Sequence, residues 1–198
     1  WTYTAPTDFL ALNTTNIAEA TTRSEELLEN HFQISLVNHN GTSTAFTLGW
    51  NADTYDTLFC IKNRDTAEKH FWVNGLRGYG KYTSPNQTGA EVSDTNVLSV
   101  SGTTITLGST LLSDNYVVTC WRAGEAGGVS NTDGDVTSTV SVNAISKFSL
   151  LTYVGNGGTM TFGHGMGTTV GAYMLKRPDS AGNQYVGYIG YAGSNQNL

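Results

Sequence analysis

Four histidines, two cysteines and 16 acidic residues are the side chains through which this chain of 198 residues could do acid–base, nucleophilic or metal chemistry. Their spacing supports little of it. No two histidines stand in the H-x-x-x-H spacing that sets two imidazoles on one helix face for zinc. There is no G-x-S-x-G elbow and no histidine context around Cys60 or Cys120 that would make a nucleophile. Asp65 and Asp179 recur in the similar segments RDTA and PDSA. Glycosidase chemistry would need a second carboxylate a few ångströms away, and no second matched carboxylate is evident. An aspartate followed by a hydroxyl residue and alanine between two strands fits an Asx-turn better. The sequence predicts no catalytic residue.

Two segments could bind rather than catalyse. NTDGD (131–135) puts side-chain oxygens at Asn131, Asp133 and Asp135, the alternation with which a calcium loop begins. The distal bidentate glutamate is missing, and Asp-Gly is a common turn pair, so an ordinary turn is expected and no metal or other cofactor is implied. LRGYGKYTS (76–84) sets Tyr79 and Tyr82 among Arg77, Lys81 and glycines. An exposed aromatic flanked by basic and hydroxyl groups can stack on a sugar ring or meet a host-surface glycan. Arg77, Tyr79, Lys81 and Tyr82 are therefore the receptor or glycan candidates. The competing reading is a rim strand with solvated tyrosines.

The elements that must position these residues are strands. The chain is 38% hydrophobic but only 13% charged, with 23 Gly and 3 Pro, and Thr, Ser and Asn fill the polar positions. Such residues suit strand surfaces and tight turns better than helix surfaces. A net charge of −6 and scattered lysines and arginines argue against nucleic acid as a partner. No apolar run is long enough for a membrane-spanning helix, so no membrane insertion is expected. Residues 1–16 read as the exit of a preceding β domain. Thr22 and Glu25 have capping-box spacing, which predicts a short helical turn near 22–30. From Phe32 onward, FQISLV (32–37), TAFTLGW (44–50), DTLFCIKN (56–63), KHFWVN (69–74), NVLSVSG (96–102), TTITLGS (103–109) and NYVVTCWR (115–122) read as strands separated by turn residues. A Gly-rich acidic connector follows, then VTSTVSV (136–142) and KFSLLTYV (147–154).

Self-comparison shows a repeat. Phe32–Gly49 lies on Phe148–Gly165 without a gap, pairing Asn40-Gly41 with Asn156-Gly157 and Phe46 with Phe162. LFCIKNRD (58–65) lies on AYMLKRPD (172–179) after a two-residue adjustment, and Trp72 on Tyr185 after one more. An offset of about 113 to 116 residues is the size of a domain, not of a solenoid repeat. The expected organisation is one complete β-sandwich repeat over 17–123 and a second over 124–198 without counterparts of TTITLGS and NYVVTCWR. Antiparallel sandwich units follow from the short alternating strands, with jelly-roll-like and immunoglobulin-like arrangements both open. Open edges in the second unit imply completion by chain beyond Leu198, the simpler case, or by another subunit. The repeat also tests the sites. Cys60 matches Met174, which marks a buried apolar position, although a Cys60–Cys120 bridge stays open. His39 matches Gly155 and His164 matches Leu48, so neither is a retained ligand or base. Trp50 and Trp72 match Met166 and Tyr185, which predicts core or inter-sheet packing for both, and Trp121, next to Cys120 in an apolar strand, is expected in the core too.

ALNTTNIAEA (11–20), FQISLVNHNGT (32–42), YVVTCWRAG (116–124), SNTDGDVTSTVSVN (130–143), FSLLTYVGNGGT (148–159), GHGMG (163–167) and KRPDSAGNQY (176–185) together resemble a repeat of bacteriophage tail and tail-fibre proteins. WTYTAPTDFLALNTTNIAEA (1–20) is similar to the end of the SPRY-like, concanavalin-like sandwich that precedes those repeats. The resemblance implies a virion structural role in a tail fibre or appendage, other tail proteins as partners and host-surface attachment. It implies no catalytic residues. Self-association into a homo-oligomer is compatible with it, but no heptads here support a trimer. The EELLEN stretch departs from the pattern, which has a proline-containing loop there. A carbohydrate-binding module and a tail-associated polysaccharide depolymerase are the competing functions.

Overall fold

A computed structural model describes residues 30–182 and the backbone of 184–188. The segment 1–16 and the helical turn expected near 22–30 lie outside these residues, apart from Asn30. The described chain is all-β. Its strands are β1 (Phe32–Asn38), β2 (Thr44–Thr47), β3 (Tyr55–Asn63), β4 (Phe71–Asn74), β5 (Lys81–Tyr82), β6 (Val92–Ser93), β7 (Leu98–Ser101), β8 (Thr104–Leu107) and β9 (Asn115–Glu125). They continue with β10 (Val129–Asn131), β11 (Ser138–Asn143), β12 (Phe148–Tyr153), β13 (Ala172–Lys176) and β14 (Gln184–Tyr188). All pairings between strands are antiparallel.

The first unit is a sandwich. A four-stranded sheet in the order β1-β9-β3-β4 faces a three-stranded sheet in the order β2-β8-β7. Val37, Phe59, Ile61, Phe71, Val73, Tyr116, Val118 and Cys120 line the inner face of the larger sheet. Leu48, Trp50, Leu98, Ile105 and Leu107 meet them from the other side. Alternation explains the selection: in β9 every second residue from Tyr116 to Cys120 is buried, and the residues between them face outward. Asn40 shows how the turns are made. Its Oδ1 accepts hydrogen bonds from the amides of Thr42 and Ser43 (both 2.9 Å), and Gly41 takes φ +79°.

The second copy keeps this local chemistry. Asn156 Oδ1 accepts from the Gly158 amide (2.9 Å), and Gly157 takes φ +81°. β12 occupies the place of β1, and the β13–β14 hairpin that of β3–β4. Register refines the alignment within that hairpin. Cys60 pairs with Trp72 and Ile61 with Phe71, while Met174 pairs with Val186 and Leu175 with Tyr185. Tyr185 is thus the counterpart of Phe71 rather than of Trp72, and both strands of the hairpin keep one offset. The sheets differ, however. β12 belongs to a three-stranded sheet in the order β10-β11-β12, and β13–β14 forms a separate two-stranded ribbon. The connector expected before residue 136 is in fact partly strand, because β9 runs on to Glu125 and β10 pairs with β11.

Candidate functional site

The 76–84 segment does not form the exposed aromatic platform expected of it. A 3₁₀ turn at Gly75–Arg77 leads into it, capped by Asn74, whose Oδ1 accepts from the Arg77 amide (3.1 Å). That turn aims the tyrosines inward. Tyr79 packs edge-on against Phe59 (ring centroids 5.8 Å), donates its hydroxyl to the Ala52 carbonyl (2.9 Å) and accepts from the Thr57 amide (3.3 Å). Burial pushes its pKa up to about 12. Tyr82 is 5% exposed, lies against Phe71 (5.0 Å) and accepts a hydrogen bond from Lys69 Nζ (2.7 Å). The physical reason is packing plus satisfied hydroxyls: each ring lies against a core phenylalanine while its polar tip has a hydrogen-bond partner. Of the basic pair, Arg77 forms a largely buried ion pair with Glu91, and Lys81 stands 3.8 Å from the same carboxylate with its side chain half exposed. The four candidates are brought together, but as the foundation of the loop rather than as a sugar-stacking surface.

The 131–135 loop is a turn knitted to the segment around residue 161. Asn131 Oδ1 accepts from the Asp133 amide (2.8 Å), and Asn131 Nδ2 donates to Asp133 Oδ2 (3.3 Å). Asp135 Oδ2 accepts from both the amide (3.1 Å) and the hydroxyl (2.8 Å) of Thr161. The three side chains are thus engaged with protein donors. Among the described residues no group of three or more His, Cys, Asp or Glu is placed to hold a metal ion.

The paired aspartates do different work. The Asx-turn after β3 belongs to Asn63, whose Oδ1 accepts from the amides of Asp65 (2.9 Å) and Thr66 (3.0 Å). Asp65 instead ties that turn to the start of β9 through the amide (2.8 Å) and side chain (2.9 Å) of Asn115. Asp179 forms an exposed ion pair with Arg177 (2.7 Å). Cys60 and Cys120 are free thiols. They sit on neighbouring strands, where Cys60 pairs with Thr119 and Cys120 with Phe59, so their side chains point to opposite faces and cannot bridge. Burial raises both pKa values, that of Cys120 to about 12, which leaves both as inert thiols at neutral pH. His39 is buried beside Tyr116 and meets Thr44 Oγ1 at 3.1 Å; burial lowers its pKa.

Asp56 is the group that sequence reading missed. It occupies the β-bulge between Tyr55 and Thr57, is 2% exposed, and faces the Ser141 hydroxyl and the Gly127 amide. Burial raises its pKa above the ordinary carboxylate value, and those two donors oppose the rise. One signal was available: at the hairpin's offset its counterpart is Val170, so the carboxylate is particular to the first copy.

Asp56 lies at a junction that joins the two units. Trp121 is packed between Phe32 (5.1 Å) and Phe148 (6.5 Å), the first residues of the two matched strands. Trp121 and Trp72 stand half-buried on the outer face of the large sheet; Trp50 alone of these tryptophans enters the core, bonding Thr57 Oγ1 (2.8 Å). Asn143 Nδ2 donates to the Arg122 carbonyl (3.1 Å) and meets His31 Nδ1 (2.7 Å). β9 passes so close to β11 that a Cβ on Gly124 would lie 2.6 Å from the Val142 amide nitrogen.

A family model described as a domain of unknown function, DUF7483, matches residues 28–198. The chain belongs to this family. The DUF7483 match begins just before β1 and runs through both copies of the repeat. No curated protein and no solved structure matches the chain.

Proposed function

We propose that this DUF7483 chain is a non-enzymatic structural module of a phage tail fibre or related virion appendage, working as a spacer that can carry a host-attachment element. The observation that carries this reading is the junction. Two copies of one β unit are joined by the Trp121–Phe148 ring stack, the buried Asn143 side chain bonded to the Arg122 carbonyl and the close approach of β9 to β11 at Gly124 rather than by a free linker. A tandem held this way fixes the spacing and angle of successive units, which is what an extended appendage requires. The sequence resemblance to tail-fibre repeats and the polar, low-charge strand surfaces support the same reading. The carbohydrate-binding alternative loses its main support, because Tyr79 and Tyr82 are packed inward.

The test is mass spectrometry of purified particles from the native source. The proposal expects the chain in fixed copy number within the particle. Release of reducing ends from host capsule or lipopolysaccharide by the isolated chain would overturn the non-enzymatic part. Absence from particles would overturn the virion part.

A further inference from the structure

Asn-Gly occurs three times in the chain, at 40–41, 74–75 and 156–157. In this dipeptide the glycine has no side chain to keep its amide nitrogen away from the asparagine Cγ, so the backbone can fold onto the side chain and close a five-membered imide. The sequence makes the three sites alike, and the fold makes them different. Asn74 ends β4 opposite Leu58, and its Oδ1 accepts from the Arg77 amide (3.1 Å). Gly75 beside it has no room to move, since a Cβ there would lie 2.5 Å from Asp56 Oδ1 and 2.7 Å from the Tyr79 hydroxyl.

Asn40 is clamped. Its Oδ1 accepts from the amides of Thr42 and Ser43 and from the Thr42 hydroxyl (each 2.9 Å), and its own amide donates to Thr44 Oγ1 (3.3 Å). Gly41 lies against Ser113, and β2 begins at Thr44. Asn156 keeps one of these restraints, the bond from the Gly158 amide (2.9 Å). Residues 154–159 are exposed, and a Cβ on Gly157 would meet nothing within 4 Å. By then β12 has ended at Tyr153, and the next strand-type pairing among the described residues is the single bridge from Phe162 to Val136.

We propose that Asn156-Gly157 is the chain's site of spontaneous deamidation, and that the fold shields Asn40 and Asn74 from the same reaction. The Gly157 amide gives its proton to hydroxide, and its nitrogen bonds to Asn156 Cγ. The Cγ–Nδ2 bond then breaks, and the nitrogen takes a proton from water and leaves as ammonia. A second water opens the imide at either carbonyl, which yields aspartate or isoaspartate. Either product puts a new negative charge on the turn after β12, and isoaspartate also lengthens the main chain there by a methylene. The second copy is thus the one that ages chemically at this turn. This goes beyond the appendage role and stands whether or not the chain belongs to a virion.

The test incubates the 198-residue chain at mildly alkaline pH, folded in buffer and unfolded in urea, and follows the amide-to-acid mass change at each site by peptide mapping. In the folded chain Asn156 should convert about tenfold faster, or more, than Asn40 or Asn74, each of which must first break hydrogen bonds or displace packed neighbours. In urea those restraints are gone, and the three rates should draw together. Any of three results overturns the proposal. Asn40 or Asn74 may keep pace with Asn156 in the folded chain, which denies the shielding. The same preference for Asn156 may persist in urea, which assigns it to sequence rather than to fold. Or Asn156 may stay intact in buffer while the unfolded chain converts.

Discussion

The hairpins β3–β4 and β13–β14 share a sequence pattern, a register and an offset, yet one is core and the other is surface. β3 lies between β9 and β4 and under the β2-β8-β7 sheet, so Phe59 and Ile61 are sealed. β13 pairs with β14 alone. The end of this ribbon is tied to the 87–91 segment by the Glu91 amide to the Pro178 carbonyl (2.8 Å) and Lys176 Nζ to the Gln87 carbonyl (3.0 Å), yet Tyr173 and Met174 stay exposed. The contrast separates two contributions that usually come together. Alternating apolar residues and pairing across a turn are enough to make the ribbon. Burial comes from the neighbouring strand and the facing sheet.

Substitutions at equivalent positions put this contrast at risk. Phe59→Ala should cost about 3–5 kcal/mol by urea unfolding, whereas Tyr173→Ala should change stability by no more than about 0.5 kcal/mol. Equal losses would break the comparison. Gly124→Val should cost about 1–3 kcal/mol by overpacking, because the new side chain meets β11 backbone at Val142. Limited proteolysis between the units should accelerate with it. Gly41→Ala and Gly157→Ala should each cost about 1 kcal/mol for the left-handed backbone. The first should cost more, since its Cβ would lie 3.2 Å from Ser113 Cβ while the second meets open space.

Asp56→Asn should give a pH-dependent effect. Burial raises the folded-state pKa of Asp56, so the native protein favours the protonated form. Stability from this group is therefore present at low pH and is lost as pH rises through the ordinary carboxylate value and on through the raised one. The variant should melt higher than the parent at pH 7. That advantage should shrink below about pH 4, where the carboxyl is protonated in both folded and unfolded chains. Melting curves at pH 7 and pH 3.5 would show it, and a constant difference would remove Asp56 as the source.

Much of this architecture was legible because period-two alternation and Asn-Gly turns are local signals. Strand positions and the two Asn-Gly turns could be read from residues close in sequence, and the repeat added the correspondence of β1 with β12 and of β3 with β13. The partner of each strand could not be read that way. That β9 enters between β1 and β3 depends on contacts between residues far apart, such as Phe32 with Trp121. The tyrosines of 76–84 misled for a related reason. Their neighbours in sequence are glycine and charged residues, but their neighbours in space are Phe59, Phe71 and the Ala52 carbonyl. Asp56 was hidden because a bulge, rather than alternation, decides where its side chain points.

The central position of β9 also bears on how the first unit comes to be folded. Its sheet is held together by the last strand of the unit, so β1 and β3 have no common neighbour until Asn115–Glu125 arrives. During synthesis the earlier strands must wait, with their apolar faces uncovered, until that segment has left the ribosome. Closure then joins residues at the two ends of the unit, a high contact order that predicts folding on the slow, millisecond-to-second side for a domain of this size. Such a unit has no stable halfway form: it assembles when its final strand goes in, and mechanical extraction of that strand would be the event that undoes it.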